Sequence, residues 1–200
     1  MTDLPSPADI TLGLLAGGRA TRLGGLDKAW LQRDGVPQVL RWRDRFALDV
    51  SAMLVSANHD LARYRAAGLD VVADAVAADI GPLAGLSALA GACRTHWLLT
   101  VPVDVVDVDG QLLQALARES ASDGAFACDD DGMQPLVALW RVAALRPAVD
   151  AAIGRGDGAV HALQGQLDMA AVRFRGIRFG NLNSPEDLAA AGVHLTSDPP

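Results

Sequence analysis

The 200-residue chain has few cysteines, few aromatic residues and no long apolar run. Its two cysteines, Cys93 and Cys128, lack the spacing of a metal or redox motif, so we interpret them as reduced packing residues. Aromatic residues make up 4% of the chain, too few for a platform that stacks single-stranded nucleic acid. No apolar run reaches the length of a membrane span, and residues 1–9 lack the features of a signal peptide. These absences predict a cytoplasmic protein without a membrane or nucleic-acid partner.

The formal net charge of −7 also disfavours nucleic acid, which is bound by basic surfaces. An acidic protein that binds a polyanion must instead concentrate positive charge locally. Half of the residues are hydrophobic, and the length suits one domain with a substantial core. We therefore expect one domain over residues 1–195 and a disordered tail over 196–200.

Apolar strands alternate with helical stretches along the chain, which indicates βαβ units around a mainly parallel sheet. The predicted strands are 10–15, 52–56, 70–73 and 96–101, and the predicted helices are 37–48, 61–67, 83–93, 111–119, 143–153 and 159–167. Two further apolar segments, 125–128 and 136–140, flank the turn-rich residues 129–132. They predict a long hairpin or a crossover, and hence one strand that runs antiparallel to the others.

The most informative segment is the glycine-rich stretch at residues 14–28, directly after the first predicted strand. Four glycines lie there among the cations Arg19, Arg22 and Lys28. Glycine lets backbone N–H groups approach a ligand closely, and cations beside such groups suit a polyanion. The segment has neither the Lys-Ser/Thr of a Walker loop nor the spacing of a dinucleotide fingerprint. It predicts a loop for the phosphates of a nucleoside triphosphate rather than a plain turn.

Polar residues follow the carboxyl ends of the first four predicted strands. The glycine-rich segment follows the first strand, and Asn58, Asp74 and Asp104 follow the second, third and fourth strands. Ligands of open parallel sheets bind beyond the carboxyl ends of the strands. We therefore expect these four segments to meet at one rim of the sheet, although Asn58 also suits an ordinary surface turn.

Asp104 is the candidate metal ligand, because it is a carboxylate that follows an apolar strand. Mg²⁺ in proteins usually takes one or two carboxylates and completes its shell with water and substrate phosphate oxygens. The nearby Asp107 and Asp109 are rival ligands. A helix or turn cap is the alternative role for Asp104.

The glycine-rich segment resembles the nucleotide loop of the molybdenum cofactor guanylyltransferases, which are MobA-like nucleotidyltransferases. The matching positions are Leu15, Ala16, Gly17, Gly18, Arg22, Leu23, Gly24, Gly25, Asp27 and Lys28. Further matches follow in the family's order: Asp74, the Gly-Pro-Leu-Ala-Gly run at 81–85, Asp104, and the Asn-Leu-Asn-Ser-Pro-Glu-Asp-Leu run at 181–188. The chain departs from the family at Ser56, where the family has Asn, and at Val103, where it has Cys.

The resemblance implies an α/β, Rossmann-like nucleotidyltransferase fold. Its central sheet would be mainly parallel, with helices on both faces and one antiparallel strand. The implied reaction transfers GMP from GTP to the terminal phosphate of molybdenum-bearing molybdopterin, with Mg²⁺ as cofactor and pyrophosphate as the second product. GTP and the molybdenum-bearing pterin are the implied partners, together with maturation partners of the enzymes that receive the cofactor.

The resemblance also assigns roles to single residues. Lys28, Arg22 and Asp104 are implied to be catalytic, and Asp104 is implied to hold the metal. The implied GTP-binding residues are Leu15, Ala16, Gly17, Gly18, Arg19, Lys28, Asn58, Asp74, Gly81, Pro82, Leu83 and Asp104. Asn181 and Asn183 are the predicted pterin-side residues. Alternating side chains at a strand end would put both amides on one face, where they could bind the second substrate or orient the loop. The residues that follow them, Ser184 to Asp187, also have a structural explanation as the capping box of a helix.

Three alternatives remain open. The chain could use CTP on the same pterin, or it could act on a sugar phosphate. Gly17 and the run at 81–85 favour GTP, because cytidylyltransferase relatives tend to have Ala for Gly17 and to lack that run. The third alternative, a carrier of the cofactor without chemistry, is disfavoured by the presence of both Lys28 and Asp104.

Overall fold

The computed structural model describes residues 4–17, 27–74, 81–108 and 110–194. Its strands are β1 (Ile10–Leu15), β2 (Gln32–Arg33), β3 (Val36–Pro37), β4 (Ala52–Ser56), β5 (Asp70–Val72), β6 (Trp97–Pro102), β7 (Gly124–Asp129), β8 (Gly132–Arg141), β9 (Met169–Arg173) and β10 (Val193–His194). Its α-helices are α1 (Gln38–Phe46), α2 (Leu61–Ala66), α3 (Pro82–Ala92), α4 (Leu112–Glu119), α5 (Val142–Gly154), α6 (Val160–Gln164) and α7 (Pro185–Ala190). Short 3-10 helices cover Pro7–Asp9 and Lys28–Trp30.

Seven strands form the central sheet in the order β5-β4-β1-β6-β8-β7-β9. Neighbouring strands are parallel except at β8, which runs antiparallel to both β6 and β7. The central position of β1 explains its sequence, since strands buried on both faces are almost continuously apolar. The mainly parallel sheet with one antiparallel strand is therefore confirmed.

Helices cover both faces of the sheet, as expected. One buried cluster joins α1, α2 and α4 to the sheet and contains Trp42, Tyr64 and Leu116. The other joins α3, α5 and α6 to the opposite face and contains Leu86 and Leu145. Adjacent residues of β6 alternate between these clusters, as side chains of a strand must. In the part of the chain that the structure describes, no helix combines the length and apolar character needed to cross a bilayer.

A second, three-stranded sheet of order β10-β2-β3 was not predicted. Its β2–β3 turn consists of Asp34 and Gly35, both with positive φ angles of 54° and 75°. This dipeptide is a strong hairpin signal, but each strand has only two residues, too few for an alternating pattern. Leu31, Leu182, Leu188 and Val193 form the small core of this sheet.

The other predicted elements agree with the structure to within a few residues. Pro37 lies in β3, so α1 begins one residue later than predicted, and α6 ends at Gln164. The edge strand β9 was missed. Ser184 and Asp187 form the predicted capping box of α7. The predictions for Gly18, Arg19, residues 22–25, Asp109 and the tail 196–200 lie outside the described residues.

The predicted long hairpin is confirmed as β7–β8, and its distal half is irregular. Phe126 pairs with Ala138 while Ala127 pairs with Gln134, so residues 135–137 have no partner on β7. Pro135 suits this bulge because proline has no N–H to donate to a ladder. The hydroxyl of Thr100 on β6 donates to the Leu136 carbonyl, at 2.8 Å, and fixes the bulge against the sheet.

The base of the hairpin turn is fastened by the carboxylate of Asp129, which is 1% exposed. One oxygen accepts from the Phe179 N–H at 2.9 Å, and the other accepts from the turn amides and Gln134. Burial alone would raise the pKa of Asp129, but the hydrogen bonds outweigh burial and lower the pKa from its ordinary value of 3.8. The ionised carboxylate therefore joins the hairpin to the segment that follows Phe179.

We expect Asp129→Asn to destabilise the protein by about 2 kcal/mol at pH 7, because a buried charged acceptor is lost. A depressed folded-state pKa stabilises the protein above pH 3.8, and that contribution is lost as the pH falls through the lowered value. The difference in free energy of unfolding between the unaltered protein and Asp129→Asn should therefore narrow below pH 3.8, as measured by urea unfolding at a series of pH values. Asp131→Asn, which changes an exposed carboxylate of the same turn, is the control. A difference that stays constant down to pH 3 would contradict the expectation.

Candidate active site

The register of four parallel strands brings the predicted site residues together. Val72 of β5 is paired with Ser56 of β4, Ser56 with Leu15 of β1, and Leu15 with Pro102 of β6. These four residues form one row across the sheet. Two residues beyond the row, each strand supplies one of the predicted site residues, Asp74, Asn58, Gly17 and Asp104. The predicted convergence on one rim is confirmed.

Asp74 is the centre of a polar cluster at the β5–β4 side of this rim. Its carboxylate accepts from the Ser56 hydroxyl at 3.0 Å and from the Asn58 amide at 2.7 Å. The Asn58 carbonyl oxygen accepts in return from the Asp74 N–H at 3.1 Å. The cluster therefore holds a fixed carboxylate, which can accept hydrogen bonds from a ligand's N–H or O–H groups.

Two glycines allow close packing around this cluster. A Cβ on Gly17 would lie 3.4 Å from the Asn58 amide nitrogen and 3.8 Å from an Asp74 carboxylate oxygen. A Cβ on Gly85 of α3 would lie 2.7 Å from the Ser56 hydroxyl oxygen and 3.0 Å from Leu15. The described start of the glycine-rich segment and the first turns of α3 therefore lie on either side of Ser56.

The amino end of α3 is built for an abrupt start at the rim. Gly81 precedes it with a φ angle of +62°, which favours glycine, and Pro82 occupies the first turn. Pro82 has no N–H, and the Ala84 N–H donates to the Gly81 carbonyl at 3.3 Å, which closes the first turn of the helix. Leu83, in contrast, is buried in the core, and its side chain serves packing.

Lys28 forms the second polar cluster, at the β6 side of the rim. Its ammonium donates to the Asp104 carboxylate at 2.9 Å and to the Asn183 carbonyl oxygen at 2.7 Å. The side chains of Lys28 and Asp104 are 17% and 24% exposed, so the ion pair is shielded from bulk water and still reachable by a ligand. The hydrogen bond between Lys28 and Asn183 joins segments that are 155 residues apart in the sequence.

Asn183 is held in place by the start of α7. Its N–H donates to an Asp187 carboxylate oxygen at 3.0 Å. This hydrogen bond, and then the one with Ser184, hold the pKa of Asp187 below its ordinary value, and the charge of Lys28 acts in the same direction. The capping box therefore also orients the asparagine that contacts Lys28.

Asp104 and Asn181 line a cleft of about 380 Å³. The cleft is bounded by Pro82, Pro102, residues 134–137 of the hairpin bulge and residues 158–161 at the start of α6. Asn181 is brought beside Asp104 by an antiparallel bridge to Val105. Asn181 is not part of a regular strand, so the two asparagine side chains do not share one face as predicted. Asn181 lines the cleft, whereas Asn183 contacts Lys28.

Asp104 could be the protein ligand of a magnesium ion whose other ligands are water and substrate phosphate oxygens. Among the described residues, no group of three or more His, Cys, Asp or Glu side chains could enclose a metal. Mg²⁺ does not need such a cage, since one carboxylate, water and phosphate oxygens suffice. The rival Asp107 is instead 67% exposed and paired with Arg33 at 3.0 Å.

Sequence reasoning missed three contributors to the site. It assigned no contact to Ser56, yet the Ser56 hydroxyl donates to Asp74. Asp27 was part of the resemblance without a role, and its carboxylate caps the 3-10 helix that begins at Lys28. Tyr64, a buried helix residue, was given no role either, and it donates to Asp27. The only available signal was polar side chains beside apolar runs, which occurs throughout soluble proteins.

Comparisons with known proteins agree with this architecture. The MobA-like NTP transferase domain family matches residues 13–170. A molybdenum cofactor guanylyltransferase from Serratia proteamaculans is 36% identical over 182 residues, which cover 90% of this chain and 92% of that protein. A relative of the same name from Yersinia pseudotuberculosis is 33% identical, with coverages of 90% and 93%.

Solved structures resemble the fold at lower identity. A molybdopterin-guanine dinucleotide biosynthesis protein A from Archaeoglobus fulgidus superposes with a TM-score of 0.69 at 19% identity, over 91% of this chain and 96% of that one. A 2-C-methyl-D-erythritol 4-phosphate cytidylyltransferase from Thermus thermophilus gives 0.66 at 18% identity, with coverages of 90% and 96%. At these identities the likeness is one of fold alone, because proteins named for different nucleotides share it.

We expect Gly85→Ala to weaken GTP binding about fivefold, because the added methyl displaces the Ser56 hydroxyl and removes one hydrogen bond to Asp74. Isothermal titration with GTP and Mg²⁺ measures the effect. Gly91→Ala, in the same helix but with open space around its Cβ, is the matched control and should bind GTP as the unaltered protein does. Equal affinities for the two variants would remove Ser56 from the site.

Proposed function

The chain belongs to the MobA-like NTP transferase family, and from this premise we propose that it transfers GMP from GTP to the terminal phosphate of molybdenum-bearing molybdopterin. The observation that carries the proposal is the pairing of Lys28 with Asp104 beside an open cleft, at the rim where Asp74 also lies. The names of the 33–36% identical relatives support the choice of substrates.

The Asp74 cluster is the proposed base site. Guanine presents two donors, N1–H and N2–H, which a fixed carboxylate can accept together. The Ser56 and Asn58 hydrogen bonds hold Asp74 in one orientation, so little rotamer freedom is lost when a base binds. Gly17, whose Cα faces Asn58 and Asp74 without a side chain between them, leaves room beside this cluster for further contacts to the base or ribose.

The proposed acceptor site is the cleft beside Asp104. Its volume lies within the usual range for small-molecule sites. Pro135, Leu136 and Val160 give it apolar walls for a fused ring, while Asn181 supplies an amide for the polar edge of a pterin. Asn181 is thus proposed to contact the pterin, whereas Asn183 acts through Lys28.

The proposed reaction is an in-line displacement. An oxygen of the acceptor's terminal phosphate forms a bond to the α-phosphorus of GTP, and the bond from that phosphorus to the bridging oxygen of pyrophosphate breaks. The attacking phosphate is already ionised near neutral pH, so the step needs no general base. The main obstacle is repulsion between two anions, which the protein must offset with positive charge and preorganised donors.

Lys28 is the proposed source of that charge. Its ammonium is held by Asp104 and Asn183 before any phosphate arrives, so it reaches the transferred group without reorganisation. Arg22, Arg19 and the backbone N–H groups of Gly17 and Gly18 are proposed to bind the phosphates from the glycine-rich segment. Asp104 would hold Mg²⁺, which neutralises phosphate charge when bound.

The observed arrangement also bears on the alternatives. The Thermus cytidylyltransferase has a similar fold, so CTP remains the competing nucleotide. A carrier without chemistry would have no use for a partly exposed ammonium fixed beside a metal-binding carboxylate. We therefore rank guanylyl transfer first and cytidylyl transfer second.

Base choice is the direct test of the proposed function. With α-³²P-labelled nucleotide, Mg²⁺ and purified molybdenum-bearing molybdopterin, GTP should label the pterin at least tenfold faster than CTP or ATP. The expectation follows from the polar donors of guanine that face Asp74, since a site that hydrogen-bonds a base strongly rejects one lacking those donors. Faster labelling from CTP would establish the cytidylyl alternative, and no labelling from any nucleotide would favour the carrier.

We expect Asp104→Asn to lower turnover at least 100-fold, because an amide is a poor Mg²⁺ ligand and no longer pairs with Lys28. The same transfer assay measures it, and a thermal melt checks that the variant is folded. Asp107→Asn removes an exposed carboxylate three residues away and should leave turnover within twofold. Comparable losses in both variants would mean that the metal is not bound by Asp104 alone.

A further inference from the structure

The hydroxyl of Tyr64 makes a hydrogen bond that core packing does not require. Tyr64 is completely buried, and its hydroxyl donates to an Asp27 carboxylate oxygen at 2.6 Å. Burial, followed by the neighbouring Asp27, raises the pKa of Tyr64 above its ordinary value, so the hydroxyl stays a donor. A buried tyrosine needs a partner, but a backbone carbonyl would serve without the desolvation cost of a carboxylate.

Asp27 connects Tyr64 to the backbone around Lys28. The second carboxylate oxygen of Asp27 accepts from the Ala29 N–H at 2.9 Å, which caps the 3-10 helix Lys28–Trp30. Asp27 is thus fixed from both sides, and Lys28 is the next residue. Lysine has a long side chain with several rotatable bonds, so a fixed backbone at Lys28 helps to keep its ammonium on Asp104 and Asn183.

Tyr64 also belongs to the segment that carries the proposed base site. It lies on α2, between β4, which leads to Asn58, and β5, which leads to Asp74. The Trp30 ring packs against Tyr64 with centroids 5.1 Å apart, and the Arg63 guanidinium lies 4.3 Å above Trp30. The base-site segment and the Lys28 segment are therefore joined by a hydrogen bond and by ring packing.

We propose that Tyr64 is a positioning residue for Lys28: through Asp27, its hydroxyl fixes the backbone from which the ammonium reaches Asp104 and Asn183. The catalytic consequence rests on the proposed function. Loss of the hydroxyl should then lower the turnover number more than it weakens nucleotide binding, because the contacts of Asp74 are untouched.

The first test does not depend on activity. Lys28 is the only lysine of the chain, so protein labelled with ¹³C at lysine Cε gives a single lysine Cε signal. A fixed side chain gives two distinct Hε resonances, and a freely rotating one gives a merged pair. We expect two resonances in the unaltered protein and a merged pair in Tyr64→Phe. Thr11→Val, which removes a buried hydroxyl near the start of β1, should keep both resonances.

The second test uses the transfer assay with GTP varied at saturating acceptor. Tyr64→Phe should lower kcat about tenfold and leave KM for GTP within twofold, whereas Thr11→Val should change neither. In a Lys28→Ala background, Tyr64→Phe should have no further effect on kcat, since residues that act through one another are not additive. A purely structural role would instead add to the loss from Lys28→Ala.

The outcomes separate the two proposals. Two distinct Hε resonances in Tyr64→Phe overturn the positioning role, whether or not the protein transfers GMP. Merged resonances in the unaltered protein also overturn it, because the ammonium would then not be fixed before substrate binds. Two resonances that merge in Tyr64→Phe support the positioning role even if the unaltered protein fails to label the pterin. If Tyr64→Phe does not fold, Asp27→Ala removes both acceptor oxygens of the same connection, and the same resonances decide.

Discussion

The register of the parallel strands is the constraint on which the whole site depends. Leu15 is paired with Ser56 on one side and Pro102 on the other, and a shift of one residue in either pairing would displace the following loop by about 3.3 Å. A displacement of this size between the loops after β1 and β6 is enough to separate the Lys28 ammonium from the Asp104 carboxylate, which are 2.9 Å apart. The apolar side chains that fix the register are therefore as necessary to the chemistry as the polar residues beyond them.

Much of this arrangement follows from sequence, and the reason is geometric. Strands such as β1 and β6 are apolar runs, and parallel strands end at a common rim, so Asp74 and Asp104 could be placed there from the pattern alone. The contacts between Lys28 and Asn183 or between Tyr64 and Asp27 could not, because they depend on how separate helices pack on the sheet. The strand β2 was missed because its two residues are too few to show a period. The strand β9 is as long as β4, but its sequence Met-Ala-Ala-Val-Arg contains two alanines, which are depleted in strands.

The described part of the site balances a cation against an anion in a protein of net charge −7. Lys28 is paired with Asp104, so the cluster is nearly neutral until a polyanion arrives, and the ammonium remains partly exposed. An incoming phosphate meets a cation already held by two partners, whereas a freely moving lysine would lose rotamer entropy on binding. Asn183 contributes to this by fixing the ammonium without adding a second negative charge.

The antiparallel direction of β8 has a consequence for how the sequence that lines the cleft can vary. Because β8 enters the sheet against its neighbours, its first residues project past the rim, and the hairpin overhangs the ends of the parallel strands. The overhang is one continuous piece of chain, separate from β1, β4 and β5, which lead to the residues of the proposed base site. Changes in residues 134–137, which line the cleft, would therefore alter its shape while leaving the proposed base site intact. A fold divided in this way can acquire new acceptors by loop variation and keep its nucleotide.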